Sequence, residues 1–319
     1  MLRRRVVRPA GLVAVVAAAA FLTPAADAAT AGPCGTLTGT PAYQHVVVIM
    51  DENVSYQQLK RSPQAPYLHS LGAQCGSELF MHAATHPSQT NYMAMTSGVA
   101  SALGIHTAND NVFHQAQVHG DTWKVYAENM PRSCANTKVP YKTGHNPAFW
   151  YTDLQAPANT CALYDVPMKP ALDEDIANDS LPRFAWVSPN ICNDMHGLAS
   201  CPQPSSQRIG VGDTWLSTMI PRLTAMPSYQ SGRTLIIMTW DEGNGGEVPG
   251  SDCTDPLVYS SQGSCQIATI IVSPYVTPGA TDAADHNLYG LLGDVQDILG
   301  YPRLGRAVGA SSLRPGLGF

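Results

Sequence analysis

The sequence predicts an α/β fold, a doubly wound and mostly parallel central sheet with helices on both faces. Three observations predict it. Four short runs are apolar without alternation: residues 45–50 (HVVVIM), 184–187 (FAWV), 235–240 (LIIMTW) and 267–272 (IATIIV). Such runs suit strands covered on both faces. Segments of helical pattern lie between them, at residues 65–75, 91–97, 212–226 and 287–299, and strands that alternate with helices build parallel sheets. Each apolar run is also followed by a polar cluster, where open α/β sheets bind ligands, beyond the carboxyl ends of their strands.

The chain has 319 residues, enough for a sizeable core. With 44% hydrophobic and only 13% charged residues it is not a charge-driven disordered chain. The start is a separate element. Arg3, Arg4, Arg5 and Arg8 precede an apolar run over 11–22, and Ala26-Asp27-Ala28 closes it. A basic start, a short apolar middle and an A-x-A ending predict a cleaved secretory leader over 1–28, too short for a bilayer span. Its loss removes four Arg and Asp27 and takes the formal charge from −6 to −9. That balance argues against a nucleic-acid partner, and no later run predicts stable membrane insertion. The expected location is outside the cell.

All eight cysteines follow the leader. An even number in an exported chain predicts disulfides. Nearest-neighbour pairing gives Cys34–Cys75, Cys134–Cys161, Cys192–Cys201 and Cys253–Cys265. The loop-rich stretch 134–161 then reads as a stapled insertion in one domain spanning 29–319. No C-x-x-C pair supports a zinc–thiolate site.

The strand-end clusters carry the chemistry. Run 45–50 continues into Asp51-Glu52-Asn53, and run 235–240 into Asp241-Glu242-Gly243. Oxygen ligands from two strand ends suit a divalent cation such as Mg²⁺, Ca²⁺ or Mn²⁺. Glu52, Asn53, Asp241 and Glu242 are the expected ligands, whereas Asp51 reads better as a cap of the next turn. Run 184–187 leads to Ser188-Pro189-Asn190 and Asn193-Asp194-Met195-His196, and run 267–272 to Ser273-Pro274-Tyr275, with Asp285-His286-Asn287 further on. All four clusters are expected to converge. Ser88 sits just before the helix at 91–97, whose free N–H groups suit an oxyanion. Ser88 or Thr90 there is either a nucleophile or a simple cap. His196 and His286 are candidate proton donors, and His145 a substrate contact in a polar loop. There is no G-x-S-x-G elbow, P-loop, G-x-G-x-x-G or H-E-x-x-H.

In this order the blocks resemble those of the bacterial phosphoesterase family, which contains secreted acid phosphatases and non-haemolytic phospholipases C and belongs to the alkaline phosphatase superfamily. Residues 45–56, 85–98, 189–196, 239–243, 273–275 and 285–287 carry the resemblance over roughly 43–305. The short chain and the Asn193-Asp194-Met195-His196 block look closest to mycobacterial secreted acid phosphatases acting on phosphatidylinositol 3-phosphate. The resemblance implies Glu52, Asn53, Asp241 and Glu242 as metal ligands and Ser88 as nucleophile, favoured over Thr90. It implies Asn91 as a phosphate contact, His196 and His286 as groups that touch or protonate the phosphoester, and Asn190 and Asp194 in a substrate-binding block. The implied activity is phosphomonoester hydrolysis through a phosphoserine, on a small phosphate ester or a phospholipid headgroup. The alternatives are phospholipase C-type diester cleavage and a non-catalytic secreted binding protein. Where the family often carries Arg-Lys-His in the middle loop, this chain has Thr143-Gly144-His145 preceded by Lys142.

Overall fold

A computed structural model describes residues 1–2 and 32–319, apart from residues 138, 156 and 158. The leader expected over 1–28, its first two residues aside, lies outside the described residues. Among the described residues no helix is long and apolar enough to cross a membrane.

Among the described residues, nine strands form one sheet: β1 (His45–Asp51), β2 (Gly76–His82), β3 (Trp123–Ala127), β4 (Asp165–Pro167), β5 (Phe184–Ser188), β6 (Thr234–Trp240), β7 (Gln266–Val272), β8 (Thr281–Asp282) and β9 (His286–Asn287). The spatial order is β4-β3-β5-β1-β6-β7-β2-β8, and β9 pairs with the same outer side of β2 as β8. β1 lies parallel to both β5 and β6, with Val47 opposite Ala185 and Ile236. Every residue of β1 after His45, and all of β5 and β6, is buried. Both faces are therefore covered, which is why these strands carry no polar alternation. The four apolar runs are β1, β5, β6 and β7, each within a residue of its expected limits.

One expectation about direction fails. β7 runs antiparallel to both β6 and β2. A parallel return needs a crossover, usually a helix. The β6–β7 connection holds only the four-residue helix Pro256–Tyr259 and the turn Gly263–Cys265. The carboxyl end of β7 therefore faces the opposite rim, where the Ser273 hydroxyl meets that of Tyr43 at 2.7 Å. Its Ser273-Pro274-Tyr275 cluster takes no part in the convergence of the other three.

The main helices are Pro66–Gln74, Ser88–Ser97, Val112–Val118, Met168–Ala177, Arg208–Thr224 and Leu288–Leu299. Pro66–Gln74 packs on Arg208–Thr224, whose Asp213 carboxylate accepts from the N–H groups of Tyr67 and Leu68 at the first helix's start. Ser88–Ser97 packs against Leu288–Leu299 and Val112–Val118. The Ser88–Ser97 helix begins three residues earlier than the sequence pattern indicates, so Ser88 is its first residue. All four disulfides follow the nearest-neighbour pairing. The Cys134–Cys161 bridge closes a stretch built of three single turns, at Thr143–His145, Ala148–Trp150 and Thr152–Leu154.

Candidate active site

Parallel pairing puts the ends of β1 and β6 side by side. Asp51 lies opposite Trp240, and the Asp241 N–H donates to the Asp51 carbonyl at 3.0 Å. Asn53 has φ +49°, a left-handed conformation that Asn tolerates better than most residues. This turns its N–H toward Asp241 Oδ1, at 3.1 Å. The loop after β5 locks onto the same place: the Glu52 N–H donates to the Asp194 carbonyl at 2.7 Å, and Arg208 Nη1 donates to the carbonyls of Asn53 and Met195. A side chain at Gly243 would sit 2.7 Å from the Ser264 carbonyl and from Ser55 Cβ, so only glycine lets this turn close.

β2 supplies the third approach, because its direction matches that of β1. Past His82 the chain turns into the Ser88–Ser97 helix, and Asn91 holds that turn. Asn91 Oδ1 accepts from the N–H groups of Ala84 and Thr85, and its Nδ2 donates to the Thr85 carbonyl. Ser88 does not cap the helix. Its Oγ lies 2.9 Å from Glu52 Oε2, 3.2 Å from Glu242 Oε1 and 3.4 Å from Asn53 Nδ2. The Thr90 hydroxyl is spent on the Pro87 carbonyl. Glu242 is held from behind by His86, whose Nδ1 lies 2.5 Å from Glu242 Oε2 and whose Nε2 faces the Ser264 hydroxyl at 3.2 Å.

This is a dense set of buried acids. Asp51, Glu52, Asp194 and Asp241 are each fully buried. Burial first, then mutual repulsion, holds their carboxyls well above the usual carboxylate range. Both oxygens of Asp51, Glu52 Oε1, Asp241 Oδ2 and His145 Nε2 have no hydrogen-bond partner among the described residues. His145 donates through Nδ1 to Asp194 at 2.9 Å, which leaves its Nε2 lone pair 3.2 Å from Glu52 Oε1. Burial, then the charges of Lys142 and His196, keeps this imidazole well below its usual pKa and therefore neutral. With Glu52 ionised, two lone pairs face each other here. Buried acceptors left in this state are costly, and a divalent cation satisfies them. The residues present thus fit such an ion, with free donors on Asp51, Glu52, Asp241 and His145.

Beyond Ser88 opens a cavity of about 670 Å³. Its polar wall includes Asn53, Ser88, Lys142, His145, His196 and Glu242, and its apolar wall Leu103, Val139, Trp150, Ile191 and Leu198. His196 bonds the Gly197 carbonyl through Nδ1, leaving Nε2 for the cavity. Burial lowers its pKa, helped by the Lys142 and Arg208 charges.

The structure thus gathers Glu52, Asn53, Ser88, His145, Asp194, His196, Asp241 and Glu242. Asn53 presents its amide nitrogen to Glu52 and Ser88 rather than an oxygen ligand. Three expected residues are elsewhere or otherwise engaged. His286 is on β9, four strand spacings from β1, roughly 19 Å at about 4.8 Å each; it contacts Asp282, Glu78 and Ser311. Asn91 spends both ends of its amide on the loop it holds. Asn190 closes the turn at Cys192 and Asn193 and donates to Asn129. Two residues were missed. His86 stands in the recognised segment 85–92, but no sequence signal tied it to Glu242. Asp51 caps no helix; complete burial with two free oxygens makes it a member of the acidic set.

Residues 76–300 match the Phosphoesterase family. The chain is 28% identical over 280 residues to a phosphatidylinositol-3-phosphatase of Mycobacterium tuberculosis, covering 85% of this chain and 81% of that one. It is 26% identical over 288 residues to an acid phosphatase of Aspergillus fumigatus, covering 83% of this chain and 57% of the longer fungal protein. In fold it is similar to a protein of the alkaline phosphatase superfamily from Vibrio parahaemolyticus, with a TM-score of 0.53 at 13% identity, covering 89% of this chain and 73% of the other.

Proposed function

The chain belongs to the Phosphoesterase family and is a phosphoric ester hydrolase, and from that premise we propose that it is a secreted phosphomonoesterase of acid phosphatase type working through Ser88. The observation that carries the reading is Ser88 Oγ, at a helix N-terminus and facing a cavity, within 3.4 Å of Glu52, Glu242 and Asn53. The phosphatases named above, to which it is similar, support the same chemistry. Four disulfides support an oxidising compartment, and with the leader pattern they support export.

Asp51, Glu52, Asp241 and His145 would hold a divalent cation. The ion supplies Lewis acidity and offsets the negative charge of phosphate among these carboxylates. Glu52 or Glu242 takes the Ser88 proton as Oγ attacks phosphorus in line. The Oγ–P bond forms and the bond to the leaving oxygen breaks. That oxygen takes a proton from His196 Nε2. The unbonded N–H groups of the first helical turn and Lys142 hold the non-bridging oxygens as charge develops. In the second half His196 accepts a proton from water, water attacks phosphorus, and Ser88 recovers its proton as the Oγ–P bond breaks. Because His196 titrates below its ordinary value, it carries the needed proton only in acid, which favours an acidic optimum.

The apolar wall at Leu103, Val139, Ile191 and Leu198 favours esters that bring an apolar body to the rim, phosphoinositide headgroups on lipid among them. The test is hydrolysis of p-nitrophenyl phosphate against bis-p-nitrophenyl phosphate by wild type and Ser88→Ala, across pH, with and without chelation. A monoester preference lost in Ser88→Ala and on chelation is expected. Diester preference moves the reading to phospholipase C-type cleavage, and full activity in Ser88→Ala removes the serine from it.

A further inference from the structure

The outer edge of the sheet carries a second cluster of ionisable groups that the catalytic reading does not use. Glu78 lies on β2, Asp282 on β8 and His286 on β9. One atom of each is already engaged. Glu78 Oε1 accepts from the Phe80 N–H at 2.7 Å, and Asp282 Oδ1 from the Ala284 N–H at 2.9 Å. His286 Nδ1 lies 3.2 Å from the Ser311 hydroxyl. That hydroxyl gives its own hydrogen to the Asp285 carbonyl at 2.9 Å, so it must accept from the imidazole. The remaining atoms, Glu78 Oε2, Asp282 Oδ2 and His286 Nε2, then face one another, all within 4.8 Å.

Their spacing does not suit a hydrogen-bonded triad. His286 Nε2 reaches Asp282 Oδ2 at hydrogen-bond distance, 3.2 Å, but lies 3.8 Å from Glu78 Oε2, beyond that range. Glu78 is 1% exposed, and its Oε2 has no hydrogen-bond partner among the described residues. A tetrahedral ion with bonds of about 2.0–2.1 Å keeps its ligands roughly 3.4 Å apart, and the two measured separations straddle that value. The backbone of Gly316 covers the group: a Cβ there would fall 1.8 Å from Asp282 Oδ2. Asp282 keeps 15% exposure, enough for a water to reach the site.

We propose that Glu78, Asp282 and His286 form a structural metal site, separate from the catalytic cluster, that takes a zinc-class cation. Two carboxylate oxygens and one imidazole nitrogen fit Zn²⁺ better than Mg²⁺ or Ca²⁺, which prefer all-oxygen sets. Water is the fourth ligand. The ion ties the two-residue strands β8 and β9, and through Ser311 and Gly316 the end of the chain, to β2. The His286–Ser311 contact fixes the imidazole so that Nε2 is the ligand atom.

The experiment measures bound zinc by elemental analysis, and the shift in Tm on adding Zn²⁺, in chelator-stripped full-length mature protein. The variants are His286→Gln, Asp282→Asn and Glu78→Gln. Asp241→Asn serves as a control that disturbs only the catalytic cluster. Each edge variant is expected to lose one equivalent of zinc and the zinc-dependent rise in Tm, while Asp241→Asn keeps both. Co²⁺ in the edge site of Asp241→Asn should give the visible d–d bands of a tetrahedral N/O site, absent after His286→Gln. Equal zinc in wild type and the edge variants overturns the proposal, as does an Asp241→Asn protein that binds no zinc. Should Glu78→Gln fail to fold, Asp282→Asn, at the partly exposed ligand, decides the matter alone.

Discussion

His86 contacts the reaction only through Glu242, and its removal tests whether that contact matters. Its Nδ1 lies 2.5 Å from Glu242 Oε2, and Glu242 Oε1 lies 3.2 Å from Ser88 Oγ. Both His86 and Glu242 are nearly buried, with side chains 1% and 5% exposed. A hydrogen bond to a charged group contributes about 1.5–3 kcal/mol, and each 1.36 kcal/mol is about tenfold in rate. His86→Ala is therefore expected to lower kcat/KM for p-nitrophenyl phosphate by about 10–100-fold, chiefly through kcat. The side-chain amide of His86→Asn can present Nδ2 close to where Nδ1 now lies, so this variant should recover a substantial part of the loss. A fold defect would lower Tm in both variants without separating them. His86→Ala with activity within twofold of wild type refutes the reasoning, as does equal impairment of His86→Ala and His86→Asn.

His196→Gln should lower kcat and flatten the alkaline fall of the pH–rate profile, because the group whose deprotonation shuts off leaving-group protonation is gone; an unchanged profile assigns the proton to another donor. Lys142→Ala should cost about tenfold in kcat/KM, judged from the worth of one charge-assisted phosphate contact at about 1.5 kcal/mol, and steady-state kinetics at two ionic strengths would show the loss shrinking as salt rises. Glu52→Gln should abolish turnover yet leave a folded protein with equal or higher Tm when the metal is stripped, since a buried, repelled carboxyl is removed; calorimetry checks the sign. Asp165 is a stability probe on β4, three strands from β1. Burial holds its carboxyl up to about 7, from 3.8, although Asn146 donates to it at 2.7 Å. Between those values the folded state binds more protons than the unfolded one, so stability falls as pH rises, by at most about 4 kcal/mol. Asp165→Asn should raise Tm at pH 7.5 and do little at pH 4.

Much of the fold was legible because the central strands are buried on both faces. Residues 46–50 and 235–238 carry no polar side chain, and a bare apolar run stands out in sequence. β2 was not legible for the converse reason. It lies near the edge, its seven residues include Glu78, a half-exposed Phe80 and His82, and no period separates it from a loop. Strand direction was invisible as well. IATIIV reads the same whichever way it runs, and only the lack of a substantial helix between residues 241 and 265 hinted that β7 reverses. That reversal explains why three strand-end clusters converge and the fourth does not.

The site was legible wherever one strand end delivers several ligands at once. Asp51-Glu52-Asn53 and Asp241-Glu242 leave adjacent parallel strands in register, so adjacency in sequence becomes adjacency in space. Contacts that depend on loop closure were not legible. His86 meets Glu242 across 156 positions, and His145 meets Asp194 across 49; neither pairing follows from local spacing. The same distinction accounts for His286. Its motif, Asp285-His286-Asn287, has the composition of a site, and Asn287 does cap the following helix with its side chain on the N–H groups of Tyr289 and Gly290. But the strand it opens pairs with the far side of β2, and that register, which no residue of the motif encodes, directs His286 toward Glu78 and Asp282 instead of the Ser88 cluster. If the edge cluster binds a cation, the residue types signalled ligand chemistry that belongs to the outer edge of the sheet.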